Sequence, residues 1–445
     1  MAMQTLASGA APTGIVADDL TGATDSAVQF ARDGWEARLA LAMPSAGVAR
    51  PGSVVAVVTD ARAQPAETAR SSTARAVTGL RDAGVRHLFV KIDSTMRGSV
   101  IDQVNGALDG WSSEHPDAVA VVCSAYPAMG RTVEGGHILV NGAGVHTTAV
   151  GTDPVTPVAT SNLAELLPGS VSLRLRHGSA AENAARLDEV FTDGTRIVAV
   201  DAATDADLAL LADSIALLGP RAIPVGAAGL AVAMSRVWAT SDAPDARAAH
   251  HVPRVVVVVS SLHDVSRTQA EHLIAALPDG RVRVLAPGLD DVLSPKTIAD
   301  WTAKQLAETP SLPEVVVIAS PTERPTRVPD GTSTAAELIT DSLATVTGLV
   351  FAHEPVGALM LLGGEGARAV LDRLGAKALL VHDAIREGIP RGTLEGGTAD
   401  GVTVVTKAGG FGAPTSVTDI VLELLTPLKS THRRRRAAAQ TRGLI

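Results

Sequence analysis

The sequence predicts an α/β protein of two domains, with mainly parallel sheets flanked by helices and an active-site cleft between the domains. Three observations lead there. At 445 residues the chain exceeds one ordinary core, since domains usually run to roughly 100–150 residues. Short runs of Val, Ile, Leu and Ala alternate along it with longer Ala-rich stretches, the pattern of buried parallel strands and covering helices. Apolar residues make up 46% but aromatics only 2%, so the cores must be built from small aliphatic side chains.

In the first half, strands are expected at residues 14–17, 54–58, 87–92, 118–123, 196–200 and 222–225. Helices over 23–33, 66–83, 100–111, 205–218 and 228–238 follow most of them. Residues 126–175 are rich in Gly, Thr, Pro and Val without helical periodicity and read as a loop-rich excursion beside a sheet edge. Residues 239–253, ATSDAPDARAAHHVP, have no apolar face and read as a linker. The alternation then restarts. Strands are expected at 254–260, 282–285, 315–319, 358–362, 378–381 and 402–406, and helices at 265–277, 296–308, 335–346, 367–374 and 417–425. Residues 321–334 form a Pro/Thr/Arg-rich loop. The domains are therefore expected at 1–240 and 251–427, followed by a basic, disordered tail over 428–445 that carries Arg433 to Arg436.

Composition excludes several classes. A net charge of −9 offers no general field for a polyanion, and few aromatics remain to stack on bases, so no nucleic-acid partner is expected. Cys123 is the single cysteine, set among apolar neighbours, which fits a packing residue in a reducing compartment. The first residues lack the basic start and apolar core of a signal peptide, and no run approaches the ~18 apolar residues of a membrane span. A cytoplasmic protein without a membrane partner is the expectation.

Chemistry-bearing residues cluster where strands end. Asp18, Asp19, Thr21, Gly22 and Asp25 follow the first strand, at the carboxyl edge where open α/β sheets bind ligands. Adjacent carboxylates there repel unless a hydroxyl, a cation or a helix N-terminus uses them, although Asp19 or Thr21 could simply cap the next helix. Lys91, Asp93, Ser94, Thr95, Arg97 and Gly98 end another strand and suit a ligand bearing a carboxylate and hydroxyls; a surface Lys–Asp pair is the plain alternative. Arg131, Thr132, Glu134, Gly135, Gly136, His137 and Asn141 form a third, Gly-rich group, in which a lone His is more often structural. Further on, LLGGEGAR over 361–368 and KAGGFG over 407–412 place glycine turns after strands, where backbone N–H groups can meet phosphate. Gly364, Gly366 and Ala369 also spell G-x-G-x-x-A, with Asp383 nineteen positions beyond Gly364, so an NAD(P)-linked oxidoreductase stays open.

Together the segments ADDLTGATD, KIDSTMRG, GRTVEGGHILVNG, VGAAGLA, GGEGARAVL and VVTKAGGFG resemble the four-carbon acid sugar kinases, two-domain ATP-dependent kinases of tetronates such as threonate, erythronate and 3-oxo-tetronate. The resemblance implies sugar-acid binding in the N-terminal domain, through Asp18, Thr21, Lys91, Ser94, Arg97 and Arg131. It implies ATP binding in the C-terminal domain, through Ser260, Gly363, Gly364, Glu365, Gly366, Lys407, Gly409 and Gly410. On that reading Asp19 or Asp93 orients or deprotonates the acceptor hydroxyl, and Mg2+ bridges the ATP phosphates with few protein ligands, none of which the sequence names. A homodimer is kept open. Two departures stand out: Ser260-Ser261-Leu262-His263 replaces the family's usual G-S-C-S, and Gly366 replaces the Thr of its G-G-D-T-A. The altered turn leaves a non-catalytic sugar-acid-binding protein as a third reading.

Overall fold

The computed structural model describes residues 10–153, 155–239, 252–261, 263–308, 311–321, 334–410 and 412–426. Thr13–Ala17, TGIVA, is buried along its whole length, as a strand covered on both faces must be. It pairs in parallel with Ser53–Val58 on one side and His87–Lys91 on the other. Ala222–Gly226, Val119–Cys123, Ile197–Val200 and Val171–Leu173 extend the sheet in parallel beyond His87–Lys91. Glu36–Ala40 extends it past Ser53–Val58, also in parallel. Helices Leu20–Arg32, Ala66–Asp82, Val100–Trp111, Asp205–Leu218 and Ala228–Trp238 supply the covering apolar faces. Ala180–Thr192 is a further helix, started by a capping box in which Ser179 and Glu182 satisfy each other's backbone donors.

The chain divides into two compact units, and the division is not a single cut near 240–251. The first unit comprises Met1–Ala246 together with Lys377–Glu395; the second comprises Arg247–Ala376 with Gly396–Ile445. The inserted piece is an antiparallel hairpin of Ala378–Arg386 and Ile389–Glu395, whose first strand runs antiparallel to Glu36–Ala40. Arg38 and Glu395 clamp it through bonds of 2.7 and 2.8 Å. The strand expected at 378–381 thus builds the first unit, because its partner lies there.

In the second unit Val282–Leu285, Val315–Ala319, Val255–Val259, Ala358–Leu362 and Thr403–Lys407 form a parallel sheet in that order. Ala335–His353 runs longer than the expected 335–346. Among the described residues it alone is long and apolar enough to cross a bilayer by length and composition. It buries Ile339, Leu343, Val346 and Val350 on one face, as a core helix does.

Residues 126–175 contain more order than a loop-rich excursion. Arg131–Glu134, His137–Val140 and Ala143–Gly144 make a small antiparallel sheet, and Asp201 accepts from the Gly135 and Gly136 N–H groups at 2.8 and 2.9 Å. Cys123 is fully buried, and burial pushes its thiol up to about 12, which leaves it inert at neutral pH. Much of the expected linker, most of the 321–334 loop, and the basic tail lie outside the described residues.

Candidate active site

Parallel register decides which side chains meet in the first unit. Ala17 stands opposite Val58 and Lys91, Lys91 opposite Gly226, and Gly226 opposite Cys123, so neighbouring strands end along one edge. The residues just past that edge are the polar ones: Asp18 and Asp19, Asp60 to Arg62, and Asp93 to Arg97. Asp19 caps Leu20–Arg32, accepting from the Gly22 N–H at 2.8 Å. Capping alone does not account for the pair, because Asp18 is 1% exposed and needs a partner.

Arg62, which the sequence reading passes over, is that partner. Its Nε and Nη2 donate to the two oxygens of Asp18 at 2.8 and 2.9 Å, and its Nη1 and Nη2 reach the two oxygens of Asp19 at 3.0 and 2.9 Å. Asp93 Oδ2 stands 3.8 Å from the same guanidinium. A planar fork of five donors suits such double contacts; a lysine would not reproduce them. Gly98 is needed for this convergence: its φ is +87°, and any Cβ there would overlap the Arg62 carbonyl. The available signal for Arg62 is only its place, in a 3-10 turn (Ala61–Ala63) shortly after a strand.

The Asp93 carboxylate accepts from the Thr95 N–H at 2.9 Å, from the Thr95 hydroxyl, and from Arg97 at 2.8 and 3.3 Å. Burial opposes its charge, but Arg62, Arg97 and these hydrogen bonds outweigh burial and hold it far below the usual carboxylate range. Burial raises Asp18 despite the Arg62 fork. Lys91 is 5% exposed and donates one of its three N–H groups to the Ile92 carbonyl at 2.8 Å. Thr21 and Ser94 are half-buried in the same two segments. Arg131 is not gathered into this cluster by any bond; it sits at the start of the small sheet, its guanidinium donating to the Met129 carbonyl.

One further group borders the cluster. Asp25 lies one turn beyond Gly22 on the same helix, and its Oδ1 is buried without a hydrogen-bond partner. Glu387, at the tip of the inserted hairpin, accepts from Tyr126 at 2.8 Å and from Arg32 at 3.0 Å.

In the second unit three strands end together, since Val259 pairs with Leu362 and Leu362 with Lys407. Gly363, with φ +108°, caps Gly364–Arg373 without a side-chain bond, so the first N–H groups of that helix are open to an anion. A Cβ on Gly363 would stand 2.7 Å from Ser260 Oγ, and one on Gly366 would overlap both Cβ and Oγ of Ser260. Ser260 itself donates to the Leu362 carbonyl at 2.9 Å. Gly409 lies against Ser261 with no room for a Cβ, and Ser266 donates to its carbonyl at 2.8 Å; Gly410 follows with its Cα face toward His263. Lys407 is 1% exposed, donates to the Ala408 carbonyl at 2.9 Å, and is pulled down to about 8 by burial. The glycines therefore form a backbone cradle beside an uncapped helix and a buried cation, an arrangement that fits nucleotide phosphates. The Glu365 side chain, Leu262 and Phe411 lie outside the described residues.

A model of a sugar-binding N-terminal domain matches residues 13–234, and a model of a nucleotide-binding C-terminal domain matches residues 256–417. A D-threonate kinase of Bordetella bronchiseptica is 40% identical over 410 residues, covering 90% of this chain and 94% of the relative. The chain belongs to the four-carbon acid sugar kinase family. Within that family, a D-threonate kinase of Salmonella typhimurium is 29% identical across 91% of this chain and 96% of its own length. A 3-oxo-tetronate kinase of Methylobacterium radiotolerans is likewise 29% identical, across 90% and 96%. The solved structure of a Haemophilus influenzae protein shares the fold, with a TM-score of 0.68 at 20% identity over 93% of this chain and 100% of that chain.

As a family member the chain is an ATP-dependent sugar-acid kinase. The oxidoreductase alternative loses its distinguishing residue on structural grounds. Asp383 belongs to the antiparallel hairpin, where Arg391 Nε donates to it at 2.8 Å, and not to a parallel strand following the glycine turn.

Proposed function

We propose that the chain transfers the γ-phosphoryl group of ATP to a hydroxyl of D-threonate or a close four-carbon sugar acid. The observation that carries this reading is the strand-edge cluster of Asp18, Asp19, Lys91, Asp93 and Arg97 gathered on Arg62, within the part of the chain matched by a sugar-binding model. Buried carboxylates in fixed orientation accept from the hydroxyls of a small polyol, while the remaining donors of Lys91 and Arg97 pair with its carboxylate. Thr21 and Ser94 add hydroxyls at the rim. The near-full-length relative at 40% identity favours threonate over the 3-oxo acid, whose kinase stands at 29%.

On the nucleotide side, the N–H groups at the start of Gly364–Arg373 and the glycines after Lys407 take the phosphates, with the Lys407 charge beside them. A magnesium ion arriving with ATP would supply charge neutralisation; an ion that keeps its waters and binds mainly through its substrate would need few protein oxygens. No covalent intermediate is asked of the protein, and most of what it supplies is position and charge. The reaction belongs in the cytoplasm, where ATP is made available and a buried free thiol such as Cys123 persists.

The test is ADP release with Mg2+ and ATP across a panel of four- to six-carbon sugar acids. D-threonate is expected to give the highest kcat/KM, at least about tenfold above six-carbon acids, a difference of about 1.4 kcal/mol in transition-state binding. Absence of acid-dependent ADP release from every member of the panel would overturn the reading.

A further inference from the structure

Phosphoryl transfer to a hydroxyl leaves one proton to be placed, and the carboxylates most obviously offered for it are poor receivers. Asp93 accepts four hydrogen bonds from Thr95 and Arg97 and is held far below the ordinary range. Asp18 and Asp19 each spend both oxygens on Arg62, and Asp19 also caps its helix. Such groups orient a ligand well. Asp93, so stabilised as an anion, has little affinity for a proton, while Asp18 and Asp19 have both oxygens already engaged by Arg62; a base works best when its pKa lies near the working pH.

Asp25 differs on each count. Its Oδ1 is buried and accepts from no protein donor, so its burial is offset by no hydrogen bond and only by the charges of Lys91 and Arg32. It stands on the face of Leu20–Arg32 shared with Gly22, and an atom at the Gly22 Cβ position would be 2.9 Å from Lys91 Nζ and 2.5 Å from Asp19 Oδ1. The missing side chain at Gly22 keeps that corner open. Asp25 and Lys91 feel each other's charge without forming an ion pair, so the corner between them has an acceptor on one side and a cation on the other. Orphaned buried acceptors are uncommon in folded proteins, and an ordered water, an ion or a ligand can supply the missing donor.

We propose that Asp25 is the catalytic base, its Oδ1 accepting the hydrogen bond, and then the proton, of the sugar-acid hydroxyl that is phosphorylated. The inference rests on the kinase reading above. In the step, the hydroxyl oxygen forms a bond to the γ-phosphorus, the bond from that phosphorus to the β,γ-bridging oxygen breaks, and its electron pair leaves on ADP. The hydroxyl proton passes to Asp25 and is returned to solvent after product release. Lys91, on the neighbouring strand beside Gly22, holds the acceptor against Asp25.

The groups facing Asp25 come from several elements: Lys91 from the neighbouring strand, Asp19 and Arg32 from its own helix and cap, and Tyr126 and Glu387 from the loop and the hairpin tip. Burial, assisted by Glu387 and Asp19 and opposed by Lys91 and Arg32, raises its pKa to about 6. A base is active when deprotonated, so kcat/KM is expected to fall about tenfold per pH unit below about 6 and to level off above it. A raised carboxyl pKa also favours the folded state only while the group is protonated. That advantage is lost as pH rises through about 6, and above it the charged carboxylate, its Oδ1 buried without a donor, weakens the native state.

The experiment compares the parent with Asp25→Asn in ADP release with D-threonate from pH 5 to 9, and in thermal melting at pH 8. Asp25→Asn is expected to lower kcat roughly 10²–10⁴-fold with KM for the acid within about threefold, to lose the acid limb, and to melt no lower than the parent at pH 8. A variant within tenfold of the parent in kcat, or one that keeps the acid limb, overturns the assignment. Should the variant fail to fold, the parent's own profile decides: no acid limb near pH 6 overturns it as well. A parent inactive on every acid sinks the kinase reading, whereas an active parent with an unaffected variant sinks only the role of Asp25.

Discussion

Arg62→Ala is expected to abolish measurable turnover and to destabilise the first unit by on the order of 3–5 kcal/mol, the range for removing one partner of a buried ion network. The guanidinium satisfies Asp18 with two bonds of 2.8 and 2.9 Å and Asp19 with two of 2.9 and 3.0 Å, and it faces Asp93 at 3.8 Å. Without it three carboxylates crowd one strand edge, with Lys91 and Arg97 as their remaining cations. The variant should be most impaired at high pH. Burial then raises Asp18 and Asp93 with less to oppose it, so the native state gains at low pH and loses that gain as pH rises. Urea unfolding at pH 5 and pH 8 measures this, and the deficit against the parent should be smaller at pH 5. Arg62→Lys restores a charge but not the fork, so it should recover part of the stability and little activity. A parent-like unfolding midpoint for Arg62→Ala at pH 8 would show that the network is not what holds the edge.

How much of this was legible beforehand differs by element, and the reasons are physical. Val100–Trp111, Asp205–Leu218 and Ala228–Trp238 begin and end where hydrophobic periodicity places them, because one face of each is apolar and lies on the sheet. Ala180–Thr192 escapes that reading, burying little beyond Asn183, Ala184, Leu187 and Phe191, although its Ser179–Glu182 capping box is visible in the sequence. Glu36–Ala40 is too short and too charged to stand out as a strand until its neighbours are known. Of the hairpin, only a strand over 378–381 is expected from the sequence, Ile389–Glu395 is not, and the first could not be assigned to the first unit, because pairing across more than three hundred residues leaves no local trace. The same holds for the site. Asp18, Lys91, Asp93 and Arg97 could be read from their strand-end positions, whereas Arg62 matters only once three distant segments converge on it. Asp25 was visible as a residue but not as an orphaned acceptor, since that depends on what fails to approach it.

The departure at Gly366 leads to the last expected result: Gly366→Thr alone should raise KM for ATP at least about tenfold, while Gly366→Thr with Ser260→Gly should restore most of it. Read as a single position, Gly366 looks like a lost hydroxyl beside the phosphates. In the structure a side chain at 366 would collide with Cβ and Oγ of Ser260, so the two positions share one space. The family's usual pattern is Gly at the first and Thr at the second; this chain has Ser260 and Gly366, one methyl smaller, with the hydroxyl contributed from the neighbouring strand end. Ser260 is anchored there by its bond of 2.9 Å to the Leu362 carbonyl, which fixes the hydroxyl beside the uncapped start of Gly364–Arg373. Neighbours that exclude each other in this way should not behave additively. Ser260→Gly alone is expected to weaken ATP binding by removing the hydroxyl, Gly366→Thr alone by forcing the helix start away, and the pair to cost less than either. ATP titrations of the four proteins measure the coupling. Additive effects, or a Gly366→Thr protein that binds ATP like the parent, would mean that the space at the helix start is not shared and that the loss of the Thr stands uncompensated.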